Sequence, residues 1–160
     1  MGRVVLHTEV QAPPDRVFDL TRHIGFHTVC YEHARERAVA GRTDGLIERG
    51  ESVTFRMHDF GVPHEMTVLI TEFDRPRHFR DSQTDGIFRR FDHDHRFEAR
   101  DGVTVMTDVF DFDPPFGPVG RLLERLFLKR RIANSLRRRN ETLKRCAETD
   151  GWRRYLNAGD

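Results

Sequence analysis

Two imidazoles and a carboxylate are the residues most able to do chemistry in this sequence. His93 and His95 lie in the run Phe91-Asp92-His93-Asp94-His95-Arg96-Phe97, and Asp108 closes the later string Met106-Thr107-Asp108. Alternate residues of a β-strand share a face, so Phe91, His93, His95 and Phe97 point the same way. Asp101-Gly102 is a two-residue hairpin signal. A turn there pairs Arg100 with Val103, Phe97 with Met106, His95 with Asp108, His93 with Phe110 and Phe91 with Phe112. The three polar groups then share a surface otherwise made of Phe and Met. The opposite face of the first strand carries Asp92, Asp94, Arg96 and Glu98, which are expected to face water, so the Phe/His face is expected to point inward.

Several chemistries fit that arrangement. An imidazole beside a carboxylate in an apolar pocket can act as a general base near neutral pH. His-x-His on a strand can chelate zinc if a third ligand such as Asp108 joins, but nothing in the spacing demands it. The same groups can anchor a ligand, or be core residues satisfied by Asp108, Asp81 or water. The candidate catalytic residues are His93, His95 and Asp108; no metal and no cofactor is expected. His58 reads as exposed, His64 lies by a turn, and His27 can approach a cavity mouth. No phosphate-binding glycine loop, nucleophile elbow, metalloprotease helix or zinc-finger spacing is present.

The elements that must position these residues follow from periodicity. Val4 to Gln11 alternates as a first strand, and Pro13-Pro14 ends it and opens a short helix through Val17, Phe18 and Leu20. Val53-Phe55-Met57 and Met66-Val68-Ile70 read as two half-buried strands. With a turn at Gly61-Val62 they pair Met57 with Met66, Phe55 with Val68 and Val53 with Ile70, all six on one face. His78 to Thr84 is a further strand, with Phe79, Asp81 and Gln83 on one side. A long strand is expected from about Ile87 to Arg100, and a last one from Val103 to about Asp113. A long helix is expected from roughly Val119 to Ala147, with Val119, Leu122, Leu123, Leu126, Ala133, Leu136, Leu143 and Ala147 recurring at three- and four-residue steps.

The chain has 160 residues and a net charge of only +1, which fits one domain with its own core. Its charge is uneven: residues 1–120 hold 15 Arg against 21 acidic residues, whereas residues 121–145 hold 10 Lys and Arg against two Glu. Arg121, Arg125, Lys129, Arg138 and Arg145 fall mostly off the apolar stripe, so the basic residues read mainly as an outer helix face rather than a nucleic-acid site. Arg137-Arg138-Arg139 is the densest knot and the remaining candidate for an anion or partner surface. No apolar run is long enough for a transmembrane segment and no signal peptide is evident; two distant cysteines, Cys30 and Cys146, fit a reduced, cytoplasmic protein. The expected division is a ligand-binding domain over residues 1–148 and a loose C-terminal tail over residues 149–160. Oligomeric state is not set by these features.

The order strand, Ala12-Pro13-Pro14 with Val17-Phe18, short helices, antiparallel strands and one long helix resembles the START-like helix-grip superfamily, within its polyketide cyclase/dehydrase-like branch. The matching strings are Ile70-Thr71-Glu72-Phe73-Asp74-Arg75-Pro76, Phe79-Arg80-Asp81, Gly86, the Phe91–Phe97 run and Met106-Thr107-Asp108. The resemblance implies an α+β fold in which a curved antiparallel sheet wraps a long C-terminal helix, with two short helices after the first strand. It also implies a cavity between sheet and helix. Together with the strand faces it marks Phe55, Met57, Met66, Val68, Ile70, Phe79, Phe91, His93, His95, Phe97, Met106, Asp108 and Phe110 as cavity residues. The implied partner is a small hydrophobic or aromatic molecule, lipid- or polyketide-like. Two alternatives stay open: a polyketide cyclase or dehydratase using the cavity His and Asp as acid and base, and an interaction protein acting through its basic helix.

Overall fold

The computed structural model of the protein describes residues 1–59, 62–114, 117 and 127–156. The described elements are β1 (Gly2–Val10), α1 (Pro14–Thr21), α2 (Ile24–Cys30), a 3-10 turn (Glu32–Ala34), β2 (Arg37–Gly41), β3 (Ser52–Asp59), β4 (Val62–Asp74), β5 (His78–Asp85), β6 (Arg90–Arg100), β7 (Val103–Asp113), α3 (Lys129–Glu148), a second 3-10 turn (Asp150–Trp152) and α4 (Arg153–Leu156). All seven strands form one antiparallel sheet in the order β1-β7-β6-β5-β4-β3-β2. The sheet is curved and α3 closes it, in a helix-grip arrangement.

Local chemistry accounts for the framework. Pro14 opens α1, where its missing N–H costs nothing, and Val17, Phe18, Leu20 and Thr21 bury the inner face. Fully burying a side chain such as Phe18 contributes about 1.5–3 kcal/mol. The turn after β6 places Asp101 and Gly102 at φ 49° and 84°. Both central residues of such a tight hairpin need positive φ, which Asp tolerates and Gly adopts freely. The pairing that results joins Phe97 to Met106, His95 to Asp108 and His93 to Phe110.

The β3–β4 hairpin differs from expectation. It pairs Val53 with Val68, Phe55 with Met66 and Met57 with His64. The pairing runs on to Asp59 with Val62, two residues short of the expected register. A slip of two preserves the face of every side chain, so Phe55, Met66 and Val68 remain inward. Strand β6 starts at Arg90 rather than Ile87, because residues 86–89 bend away from the ladder.

Of the four charges expected in water on the outer face of β6, Arg96 and Glu98 are exposed, but Asp94 is only 4% exposed. Its neighbour Arg80 on β5 lies over it, with Nε and Nη2 each 3.0 Å from its two carboxylate oxygens. The described part of the long helix begins at Lys129; Val119, Arg121, Leu122, Leu123, Arg125 and Leu126 lie outside the described residues.

The segment after Glu148 is not a loose tail as far as Leu156. Trp152, Tyr155 and Leu156 share one edge of a short helical segment. Tyr155 packs edge-on against Phe26 (4.9 Å) and His23 (5.4 Å), and the Arg16 guanidinium sits 4.2 Å over the Trp152 ring. Cys30 and Cys146 are free thiols, and burial pushes the Cys30 pKa up to about 12. Among the described residues no helix is long and apolar enough to cross a membrane.

Candidate functional site

A cavity of about 660 Å³ lies between the concave face of β3–β6, the segment α2 to Glu36 and the first half of α3. Its walls are mainly apolar: Val53, Phe55, Met57, Met66, Val68, Ile70, Phe79, Phe91, Phe110, Ile132 and Leu136 all border it. Arg130, Arg131, Asn134 and Arg138, all exposed, border it on the helix side. The rings pack against one another. Phe91 stacks on Phe110 at 4.9 Å, Phe79 on His95 at 4.3 Å, and Phe55 on His27 at 4.7 Å.

One end is polar. Period two on β5 and β6 brings Asp81, His93 and His95 to the concave face, with Asp81 directly opposite His93. The imidazole rings of His93 and His95 are 3.8 Å apart, centre to centre. Asp108 lies beneath them, fully buried, with Oδ1 2.9 Å from His93 Nε2 and 3.0 Å from His95 Nδ1. On the far side of His95, Nε2 is 2.8 Å from Asp81 Oδ2. From α3, Arg139 Nη1 donates to Asp108 Oδ1 (3.2 Å) and Asn140 Nδ2 donates to Asp108 Oδ2 (2.7 Å).

A carboxylate only accepts, so His93 Nε2 carries the proton and donates to Asp108. Burial and then the neighbouring His95 hold the His93 pKa below its usual value, which leaves Nδ1 a bare acceptor. Burial also opposes a charge on His95, but hydrogen bonds to Asp108 and Asp81 outweigh it and raise that pKa. His95 then donates to both acids. Its Nδ1 also lies 3.3 Å from Arg139 Nη2. One nitrogen cannot donate to Asp108 and accept from Arg139 at once, and the shorter contact to Asp108 prevails. Asp108 is held well below the usual carboxylate range: burial pushes it up, and Arg139 with the two imidazoles overcomes that push. Tyr31 also borders the cavity, and burial raises its phenol pKa, keeping the hydroxyl protonated.

This layout can be set against known proteins. A model of the polyketide cyclase/dehydrase and lipid transport family matches residues 1–148. The chain belongs to that family. Solved structures agree on the fold. A protein from Thermus thermophilus is 17% identical with a TM-score of 0.67, over 89% of this chain and 97% of its own. A START superfamily protein from Mycobacterium smegmatis is 10% identical at TM-score 0.69, over 91% and 97%. A ginseng major latex-like protein from Panax ginseng is 11% identical at TM-score 0.64, over 91% and 97%. No curated protein matches.

Within this cyclase/dehydrase-type domain, Phe55, Met57, Met66, Val68, Ile70, Phe79, Phe91, His93, His95 and Phe110 border the cavity, whereas Phe97, Met106 and Asp108 do not. The reason is depth along the hairpin. Near its turn the sheet is covered directly by α1, whose Phe18 ring meets Phe73, Phe79 and Phe97 edge-on at 5.4, 5.4 and 5.2 Å. Met106 is sealed there too, its sulfur 3.8 Å from Thr21 Oγ1. Asp108 is screened by the two imidazoles and Arg139.

Sequence reasoning placed Arg139 in the basic knot with Arg137 and Arg138 rather than at the cavity, and missed Asn140. Arg137 and Arg138 are exposed, but Arg139 is only 3% exposed and Asn140 2%. A signal was present. Leu136 and Leu143 are one heptad apart, and positions three and four after Leu136 must share their face. Those positions are Arg139 and Asn140. Tyr31 was also missed, and so was the buried Glu36, whose Oε1 lies 2.7 Å from His27 Nδ1.

Among the described residues, two groups of side chains bring metal-type donors within 4.8 Å of one another: Asp81, His93 and His95 at the cavity, and Glu72, His78 and Asp94 on the outer face. The second group already holds a cation, since Arg80 reaches Glu72 at 2.6 Å and Asp94 at 3.0 Å.

Proposed function

We propose that this protein binds a small hydrophobic or aromatic molecule, lipid-like or polyketide-like, in the cavity between sheet and helix. The observation that supports this is an apolar-walled space of about 660 Å³ ending in one cluster of ordered polar groups. Pockets for small molecules typically span about 300–1,000 Å³, with apolar walls and few polar groups that set orientation. Here the walls supply apolar contact, and the polar end reads one oxygen-bearing end of the ligand. His93 Nδ1 accepts from a hydroxyl, and the protonated Tyr31 phenol offers a donor on the cavity wall.

The test is thermal unfolding of delipidated protein, in EDTA, against fatty acids, linear polyketides and aromatic phenols. A ligand at 100 times its Kd contributes about 2.7 kcal/mol, which raises Tm by roughly 5–10 °C for a domain of this size. A bulky wall substitution, Val68→Phe, should abolish the shift while keeping the fold. No shift with any class, or a shift indifferent to Val68→Phe, ends this reading.

A further inference from the structure

We propose that Asp81, His93 and His95 form a binding site for one divalent transition-metal ion of the zinc or ferrous type, open to the cavity. The site does not depend on an organic ligand filling that cavity.

Four observations carry it. First, the donors converge. Asp81 Oδ2 is 2.8 Å from His95 Nε2 and 3.9 Å from His93 Nδ1. Bonds of about 2.0–2.2 Å to one tetrahedral metal put neighbouring donors roughly 3.3–3.6 Å apart, and the two observed distances bracket that range. All three donor atoms lie within 4.8 Å of one another.

Second, the far nitrogens are already oriented. His93 Nε2 and His95 Nδ1 both meet Asp108 Oδ1, at 2.9 and 3.0 Å. Ligating histidines typically present their other N–H to a carboxylate, which fixes the ring and raises its basicity. One aspartate does so here for both rings, and Arg139 and Asn140 hold that aspartate in place.

Third, the charge is right. Asp81 and Asp108 carry two negative charges against the one fixed positive charge of Arg139, and the proton that His95 Nε2 donates to Asp81 supplies the balance. A metal ion takes the place of that proton between the ring and the carboxylate. The outer donor group differs here, because Arg80 already fills that role.

Fourth, all three donors border the cavity while Asp108 does not. Three protein ligands leave a coordination position toward the open space, where water or an oxygen of a bound molecule completes the sphere. Two imidazoles with one carboxylate favour zinc or iron over magnesium or calcium, which prefer oxygen donors throughout.

The test uses metal alone. Untagged, EDTA-treated protein is titrated with Zn²⁺ by calorimetry, and with Co²⁺ by visible absorption. The expected result is one ion per chain. Asp81→Asn, His93→Gln and His95→Gln should each weaken binding at least about 100-fold, and Asp108→Asn about 10- to 100-fold. Glu72→Gln should leave it unchanged. X-ray absorption of the zinc-loaded wild type needs no variant and should show two imidazoles with oxygen donors. The proposal is overturned if the folded wild type binds no ion, if Glu72→Gln rather than Asp81→Asn removes it, or if absorption shows sulfur or a single imidazole. None of these results bears on the melting shifts measured in EDTA.

Discussion

Strands β5 and β6 carry two clusters of nearly the same composition on their two faces. The outer cluster joins Glu72, His78, Arg80 and Asp94; the inner one joins Asp81, His93, His95, Asp108 and Arg139. Outside, the arginine comes from the neighbouring strand, stays 30% exposed and covers its acids from the water side. Inside, it comes from α3 across the core and is almost fully buried. The outer group is a surface ion-pair network that satisfies itself. The inner group is held from one side by the helix and leaves His93 Nδ1 and Asp81 toward an apolar space. Function is therefore sought where identical residue types are buried and only partly spent on one another.

Cutting each arginine gives the largest expected contrast. Arg139→Ala strands the Asp108 charge in the core and should cost about 3–5 kcal/mol in chemical denaturation. Arg80→Ala lets water reach Asp94, which keeps its contact with His78, and should cost about 1 kcal/mol. Equal losses would erase the distinction between the two faces.

A smaller contrast sharpens the functional half. His93→Phe removes the acceptor nitrogen at the polar end of the cavity and should weaken a hydroxylated ligand by roughly 3- to 10-fold, the worth of one neutral hydrogen bond. His78→Phe, on the outer face, should leave ligand affinity unchanged. Isothermal titration of both variants with the same ligand decides the matter.

The smallest effect concerns acid stability of the outer face. The hydrogen bond from Arg3 holds the Asp111 pKa below its usual 3.8. A depressed folded value contributes stability above the unfolded pKa, and that contribution is lost as pH falls through the folded one. Wild type should therefore melt above Asp111→Asn at neutral pH, and the gap should close below about pH 3.8. A gap that persists in stronger acid would assign it to something other than this charge.

Much of this is legible in the sequence. The period of two put Phe91, His93, His95 and Phe97 on one face, and Asp101-Gly102 set the register that joins His95 to Asp108. The two-residue slip of the β3–β4 hairpin did no damage to the wall, because an even slip changes partners but not faces. The burial of Asp94 was not legible, because it depends on Arg80 arriving from the adjacent strand. The short C-terminal segment differs from the expected loose tail for a similar reason: the half-buried Trp152 and Tyr155 pack against Arg16 of α1 and Phe26 of α2.

By itself, then, the sequence determined the alternation of each strand, the turn chemistry at Asp101-Gly102 and the apolar stripe of the long helix. These depend on neighbours within a few residues along the chain. Tertiary structure alone decided that Phe18 fills the hairpin end while the space beside Phe55 and Phe91 stays hollow. It also decided that, of three consecutive arginines, only Arg139 turns inward. Both outcomes depend on which elements meet across the core, and a buried guanidinium is tolerable only where a partner such as Asp108 is waiting.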